Sequence, residues 1–485
     1  MNVLAFDFGA SSGRAILGTL ENGKLSLKEL YRFDNDPVTM NGGFYWDLPR
    51  LFHEIKQGLL KAKGEDFESI GIDTWGVDYG LITKDKTLLG NPVHYRDSRT
   101  ERTPEAVSKI LSDEELYRVS GIQKMNFNTL FQLYQTKTEQ PWLYDLADKF
   151  IFIPDLFGYL LTGEVYAEQS IASTSQLLDP FTKEWNWQLI DKLGLKREMF
   201  PALVPSGAKV GSLRRELCEE LGIESKAVTA VCGHDTACAV AAVPTAEQDF
   251  VYISCGTWSL FGTELTEPCI TEESARYNIT NETGFGGTTR FLKNIIGLWM
   301  IQETRRQFKR DGKEYSYAEM ERLAREAKPF ACFIDPDEPR FAPPGNQIQR
   351  IKDFCRETNQ YVPQTDGEVI RCIYESLAMK YKYTFEQLKT CTGRDFKTIH
   401  MVGGGTKDGF LCEMTADATC VPVIAGPTEA TAAGNVCVQL MALGAVKDLQ
   451  EARRLIADSF EVKSYTPQNS GFEEIYTRFL EIIPE

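Results

Sequence analysis

The sequence predicts an α/β fold built as two related domains, and three observations carry this. At 485 residues the chain exceeds what one hydrophobic core serves, so two domains are expected. Strand-like and helical apolar patterns alternate near the start and again in the second half, as a mixed sheet flanked by helices requires. Two stretches look like one device used twice: LAFDFGASSGRAILGTL at residues 4–20 and FVYISCGTWSLFGTEL at residues 250–265. Each is an apolar run, a turn of Gly with small hydroxyl residues, and a second apolar run. That pattern is a β-hairpin whose tip is lined by backbone N–H groups and hydroxyls. Successive N–H groups converge on an anion, and Gly lets the backbone approach it, so such a tip suits phosphate. Two such hairpins predict a nucleotide held in a cleft between the domains.

The elements follow in order. VLAFDFG, RAILGTL and LSLKELYRF are strands. Gly18 to Lys24 (GTLENGK) matches most of a phosphate-binding P-loop, but Leu25 stands where Ser or Thr would hold magnesium. Its Asn-Gly is a hairpin turn instead. DLPRLFHEIKQGLLKAK has helical spacing, with Asp47 as N-cap and Pro49 in the first turn. SIGIDTWGVDYGLIT is strand, loop, strand. Residues 100–225 are richer in helix and loop and form insertions on the substrate side. AVTAVCGHDTACAVAAV returns to strand, tight turn and small-residue helix, and a polar break at residues 244–249 divides the domains into 1–244 and 249–485. The second half holds its hairpin, helices at 294–309 and 369–390, and FKTIHMVGGGTKDGFLCEMTADAT as strand, Gly-rich turn and helix. A short strand, a Gly-Pro turn and an Ala-rich helix follow.

Composition excludes several classes. A net charge of −16 argues against a nucleic-acid binder, which needs Lys and Arg in excess. No apolar run is long enough to span a membrane, and Asp7 and Arg14 interrupt the N-terminal one, so no membrane association and a cytoplasmic location are expected. The sequons at Asn278 and Asn281 are then chance matches. Twelve Cys without a CxxC pair argue against a zinc ribbon. Cys355 and Cys372 flank a loop containing Pro363 and Gly367. They are either a reduced, buried pair or a disulfide, and the compartment favours the reduced pair. Four His leave no imidazole cluster, so acid–base chemistry falls to a carboxylate.

Several clusters carry candidate chemistry. Asp7 precedes the first hairpin tip and is placed to hold a metal; Arg14 leaves the tip and offers a fork for phosphate. Gly256 and Thr257 repeat the tip. Gly403, Gly404 and Gly405 stand between a strand and a helix, suited to the adenosine part of a nucleotide or serving as a connector. Asp235 in GHDTA sits at a strand-to-helix junction, either as a helix N-cap or as a base facing the phosphates. Asp73-Thr74-Trp75-Gly76-Val77-Asp78 either suits a sugar, the indole packing on its C–H face and the carboxylates accepting hydroxyls, or holds a packed Trp in a loop. Tyr95 to Arg99 is a second polar cluster, either polyol contacts with support for that loop or a solvated face.

GASSGR, GIDTWGVD, YRDSRT, HDTA, SCGTWSLFG, LKNIIGLW, HMVGGG and AGPTEA occur in this order along the chain. In this the sequence resembles the FGGY carbohydrate kinases, whose two actin-like, ribonuclease-H-like ATPase domains are shared with hexokinase and heat-shock chaperones. The resemblance implies an enzyme using ATP and Mg2+ to phosphorylate L-rhamnulose at its 1-hydroxyl, in L-rhamnose catabolism. It implies ATP contacts by Ala10, Ser11, Ser12, Gly13, Arg14, Thr257, Gln302 and Gly404. It implies sugar contacts by Gly76, His234 and Asn294, and Asp235 as proton acceptor. Cys255 departs from the Ser usual before the Gly-Thr, with little consequence expected. L-fuculose or L-xylulose are alternative substrates; an actin-like or chaperone-type ATPase switch is the alternative of another class. No nucleic acid and no obligate protein partner are expected.

Overall fold

The computed structural model describes residues 1–468 and 471–483. The chain forms two compact units. The first comprises Met1–Ala246, Glu264–Phe291 and Ala430–Phe460; the second comprises Glu247–Thr263, Leu292–Glu429 and the chain from Glu461. Where the sequence suggests a single crossing at 244–249, the chain interleaves.

In the first unit the strand order is Ala208–Ser212, Ala227–Ala230, Ser69–Asp73, Asn2–Phe8, Ser12–Glu21, Lys24–Asp34. The three middle strands from Ala227–Ala230 to Asn2–Phe8 are parallel, and the flanking ones antiparallel. The parallel strands Asn2–Phe8 and Ser69–Asp73 are buried on both faces, with Asp7 and Asp73 toward their C-terminal ends. The turn from Ser12–Glu21 into Lys24–Asp34 is Asn22-Gly23, both at positive φ, so the P-loop-like string is a hairpin. Helix Leu48–Lys61 starts as expected: Asp47 accepts from the Arg50 N–H at 3.2 Å and Pro49 lies in its first turn. An inserted region packs Phe150, Phe152, Trp185 and Phe200 edge to face into its own core.

In the second unit the order is Thr289–Ile296 (entering this unit at Leu292), Trp258–Leu265, Val251–Cys255, Ile399–Val402, Val423–Ala425, Lys463–Tyr465. Val251–Cys255, Ile399–Val402 and Val423–Ala425 are parallel. Read from its other end this is the order of the first unit, so the repeated hairpin marks a repeated sheet. Asn294 lies on the strand Thr289–Ile296, not at a helix start as the sequence suggests, and the helix is Trp299–Arg310. Thr289 to Ile296 is rich in β-formers, and Gly297 then turns where a Cβ would collide with Ser259. Helix Asp366–Thr392 opens with a Thr365/Glu368 capping box. No helix among the described residues is long and apolar enough to cross a membrane.

Helix Ala430–Ala442 completes the first unit. The Gln439 amide accepts from Ser69 Oγ at 2.6 Å and donates to the Leu4 carbonyl at 3.1 Å. Asn435 donates to Asp73 Oδ2 at 2.6 Å. Small residues let this helix approach Asp235–Ala241 so closely that a Cβ on Gly434 would overlap the Cys238 carbonyl. Because backbone cannot yield as a side chain does, Gly434→Ala is expected to cost about 3 kcal/mol, the upper end for overpacking. The measurement is the denaturant midpoint.

Candidate functional site

The first hairpin and its parallel neighbour gather the acidic residues. The register sets Asp7 opposite Arg14 on one side and beside Asp73 on the other. Asp7 is buried and ion-paired with Arg14, so the Arg14 fork is anchored on its own hairpin. Asp73 is fully buried, and its Oδ1 has no hydrogen-bond partner. Burial, then the Asp7 charge, pushes its carboxyl well above the usual range, against the Asn435 amide.

The tip itself is held by Asn35, which the sequence did not point to. Its N–H donates to the Ser11 carbonyl at 3.1 Å and its amide to the Gly9 carbonyl at 2.9 Å. Ala10, Ser11 and Ser12 are partly or fully exposed. Gly13 has a reason beyond phosphate: a Cβ there would overlap the Phe33 ring, which packs across it edge to face with Phe8.

Asp235 reaches this cluster through the backbone. The Thr74 N–H donates to the Gly233 carbonyl at 2.9 Å, and the Asp235 N–H to the Thr74 carbonyl at 2.8 Å. His234 occupies the N-cap position of helix Asp235–Ala241, and Asp235 is the first helical residue. Its Oδ1 accepts from the Thr236 N–H at 2.6 Å. Its side chain is 30% exposed, whereas Asp7 is 8% and His234 10%. Asp235 is thus the carboxylate of the three that opens to solvent. Burial raises its pKa; His234 opposes this and Asp7 adds to it.

A buried pair fixes His234. Its Nδ1 lies 3.2 Å from Glu282 Oε2, which is 3.0 Å from the guanidinium of fully buried Arg290. Arg290 Nε donates to the Thr283 carbonyl at 3.1 Å. Burial would raise Glu282, but Arg290 and His234 hold it below the ordinary carboxylate value. Neither Glu282 nor Arg290 carries a sequence signal, since the ring, the acid and the base come from separate segments.

The loop at residues 73–78 differs from its sequence reading. Asp78 is not offered to a polyol: it is fully buried and spent on four donors. Oδ2 accepts from the indoles of Trp46 at 2.7 Å and Trp75 at 3.1 Å and from the Tyr95 N–H at 3.1 Å; Oδ1 accepts from Gln132 at 2.9 Å. The two indoles stack at 3.9 Å, with His94 on the far face of Trp46 at 4.1 Å. Burial and Arg96 depress the His94 imidazole to about 3, so it is neutral. In the second cluster Arg99 donates to Gln132 at 2.7 Å and Asp97 accepts from the Phe44 N–H at 2.7 Å, so these residues brace the loop. Gly76 lies against Thr174. Val77 takes a positive φ of 66°, unusual for a β-branched residue. Thr174 accepts its N–H at 3.0 Å and Thr129 donates to its carbonyl at 2.6 Å, which over-determines the strained turn.

In the second unit the second tip is pinned by the segment after it. The N–H groups of Gly297 and Trp299 donate to the Thr257 carbonyl, both at 3.1 Å, and Leu298 donates to that of Gly256 at 3.0 Å. The Thr257 hydroxyl lies 3.5 Å from Gln302 Oε1, so these two meet. Gly403 has φ 86°, Gly405 lies where a Cβ would overlap Cys255 Sγ, and Gly404 faces open space. Cys255 is therefore the residue on which the triple glycine packs, and burial raises its thiol to about 11. Asn294 is half-buried in this unit.

Residues 2–242 match the N-terminal domain of the FGGY family of carbohydrate kinases, and residues 251–443 its C-terminal domain. The chain is 43% identical to a rhamnulokinase of Bacteroides thetaiotaomicron, covering 99% of this chain and 98% of that one. It is 44% identical to a rhamnulokinase of Oceanobacillus iheyensis, covering 95% and 97%. Among solved structures, a ligand-bound xylulose kinase from Lactobacillus acidophilus superposes with a TM-score of 0.81 at 17% identity, covering 99% of this chain and 97% of that one. Plasmodium falciparum glycerol kinase with ADP does so at 0.78 and 13%, with the same coverage. These two share the fold. The chain belongs to the FGGY family of carbohydrate kinases, enzymes that transfer phosphate from ATP to a sugar hydroxyl.

Burial raises Asp78 to about 6, against its four donors. The folded value lies above the free one, so the stability this protonation confers is complete below about 3.8 and is lost as pH rises through about 6. Asp78→Ala at neutral pH leaves two buried indole N–H groups unpaired and is expected to destabilise by ~3 kcal/mol. Thermal unfolding at pH 7 checks this, and the variant should also lose the stability gain on acidification.

Proposed function

We propose that this enzyme phosphorylates L-rhamnulose at its 1-hydroxyl with ATP, giving L-rhamnulose 1-phosphate and ADP in L-rhamnose catabolism. The observation that carries the mechanism is Asp235, a carboxylate open to solvent at a helix start beside two closed ones. The end-to-end identity to rhamnulokinases supports the substrate.

The sugar O1 attacks the γ-phosphorus. The new O1–P bond forms as the bond from phosphorus to the β,γ-bridging oxygen breaks, and the hydroxyl proton passes to Asp235. Oδ2 is the receiving atom, because Oδ1 is turned toward the Thr236 N–H. The raised pKa of Asp235 strengthens it as a base, and His234, held by Glu282 and Arg290, limits the rise. His234, Gly76 and Asn294 contact the sugar; the strained Val77 turn fixes Gly76.

Ala10, Ser11, Ser12, Gly13 and Arg14 take the phosphates, and Thr257, Gln302 and Gly404 serve the rest of the nucleotide. Arg14 brings positive charge to the phosphates while Asp7 anchors it. The residues present also suit Mg2+. Asp73 has an unpartnered buried oxygen beside Asp7, and Mg2+ is commonly held by one or two carboxylates together with substrate phosphates. Asp7 and Asp73 would hold it, and when bound it neutralises phosphate charge.

Asp235→Asn is expected to lower kcat by at least ~10²-fold, the usual scale for a general base. The wild-type kcat/KM should fall on acidification at a pH above that of an unperturbed carboxylate, and the variant should lack that limb. A near-wild-type rate in Asp235→Asn overturns the assignment.

A panel of L-rhamnulose, L-fuculose and L-xylulose in a coupled ADP-release assay tests the substrate. L-Rhamnulose should have the highest kcat/KM, and ADP release without sugar should be negligible. Preference for another ketose overturns the substrate but not the base.

A further inference from the structure

Three cysteines from three elements of the second unit meet in its core. Cys332 lies after helix Tyr317–Glu326, Cys355 on helix Gln347–Glu357 and Cys372 on helix Asp366–Thr392. All are free thiols, each no more than 2% exposed, and their Sγ atoms all lie within 4.8 Å of one another. The sequence singles out two of them as a reduced pair or a disulfide, with the reduced pair favoured; the third comes from upstream. Neither phosphate transfer nor sugar binding uses any of the three.

We propose that this cluster is a binding site for a trivalent thiophilic metalloid, of which arsenous acid is the simplest. Geometry, ligand count and charge support this. Three sulfurs bonded pyramidally to one soft trivalent centre at ~2.3 Å stand about 3.5 Å apart, so a contraction of up to ~1.3 Å completes the site. The group has three members, with no fourth His, Cys or carboxylate ligand among the described residues. Zinc bound structurally takes four ligands and would lack one. Charge decides further, because burial penalises ionic complexes. Three thiolates leave copper(I) with two negative charges and zinc(II) with one, but neutralise a trivalent centre.

The reaction balances without an oxidant. Three S–H and three As–O bonds break, three As–S bonds form, and three waters leave, with arsenic trivalent throughout. Entry is through Cys332. Its segment lacks regular secondary structure and is held by side chains: Glu375 accepts the Phe330 N–H at 2.8 Å, Gln360 that of Phe333 at 2.9 Å, and Ser376 that of Ile334 at 2.9 Å. Such a segment opens more readily than the helices carrying the other two thiols.

The test is titration of the reduced, full-length enzyme with arsenous acid, followed by native mass spectrometry and X-ray absorption. One arsenic per chain is expected, with three sulfur neighbours and no oxygen neighbour. Cys332→Ala, Cys355→Ala and Cys372→Ala should each weaken binding by at least ~10-fold, while Cys420→Ala, which removes an exposed thiol, should not. Circular dichroism identifies any variant that does not fold; Cys332→Ala, on the irregular segment, is the decisive one. Three outcomes overturn the proposal: equal binding by folded Cys332→Ala, tighter uptake of zinc(II) than of arsenous acid, or a Cys355–Cys372 disulfide that persists under the reducing conditions.

Discussion

Like charge at close range is the constraint around which the first unit is arranged. Parallel pairing of two strands puts Asp7 and Asp73 at the same level, and Asp235 adds a third carboxylate. Burying an uncompensated charge costs several kcal/mol, so each acid needs a partner or an opening. Arg14 answers Asp7 across the hairpin, Asn435 answers Asp73 from a distant helix, and Asp235 turns outward. The acid that opens to solvent is the one proposed to take the proton. The same crowding leaves an unpartnered oxygen on Asp73 suited to a cation.

The sugar loop shows a different economy of polar groups. A buried acid there binds two indoles, a backbone N–H and an amide. Gln132 and Arg99 extend that network outward. Its effect is to hold Gly76 and the strained Val77 turn in one conformation. Aromatic rings beside carboxylates thus serve as the frame of the loop, and Gly76 at its bend is the residue proposed to meet the sugar.

Much of this was legible in the sequence, because hairpins, caps and glycine turns are local. The repeated hairpin predicted two related sheets, and Asp47 and Asn22-Gly23 formed the cap and turn their spacing implied. Asn294 fell on the wrong element because a strand running directly into a helix leaves an apolar pattern with two periods. Asn35, Glu282, Arg290 and Asn435 were illegible for another reason. Each acts on a residue far away in sequence, and pairings of that kind have no period or spacing. Trp75 stood open between sugar contact and loop packing, and Asp78 between ligand and frame, because residue type alone does not distinguish a buried acid from an exposed one.

The helix at Ala430–Ala442 has a consequence for how the molecule is made. Its Gln439 and Asn435 complete hydrogen bonds for Ser69, Leu4 and Asp73, near the other end of the chain. During synthesis these polar groups wait, uncompleted, until residues 430–442 have left the ribosome. The acidic cluster is therefore completed late, although its first members are translated first. A product truncated before residue 430 would hold Asp7, Asp73 and Asp235 without the helix that sets them, so the fold couples assembly of the proposed catalytic centre to synthesis of that late segment.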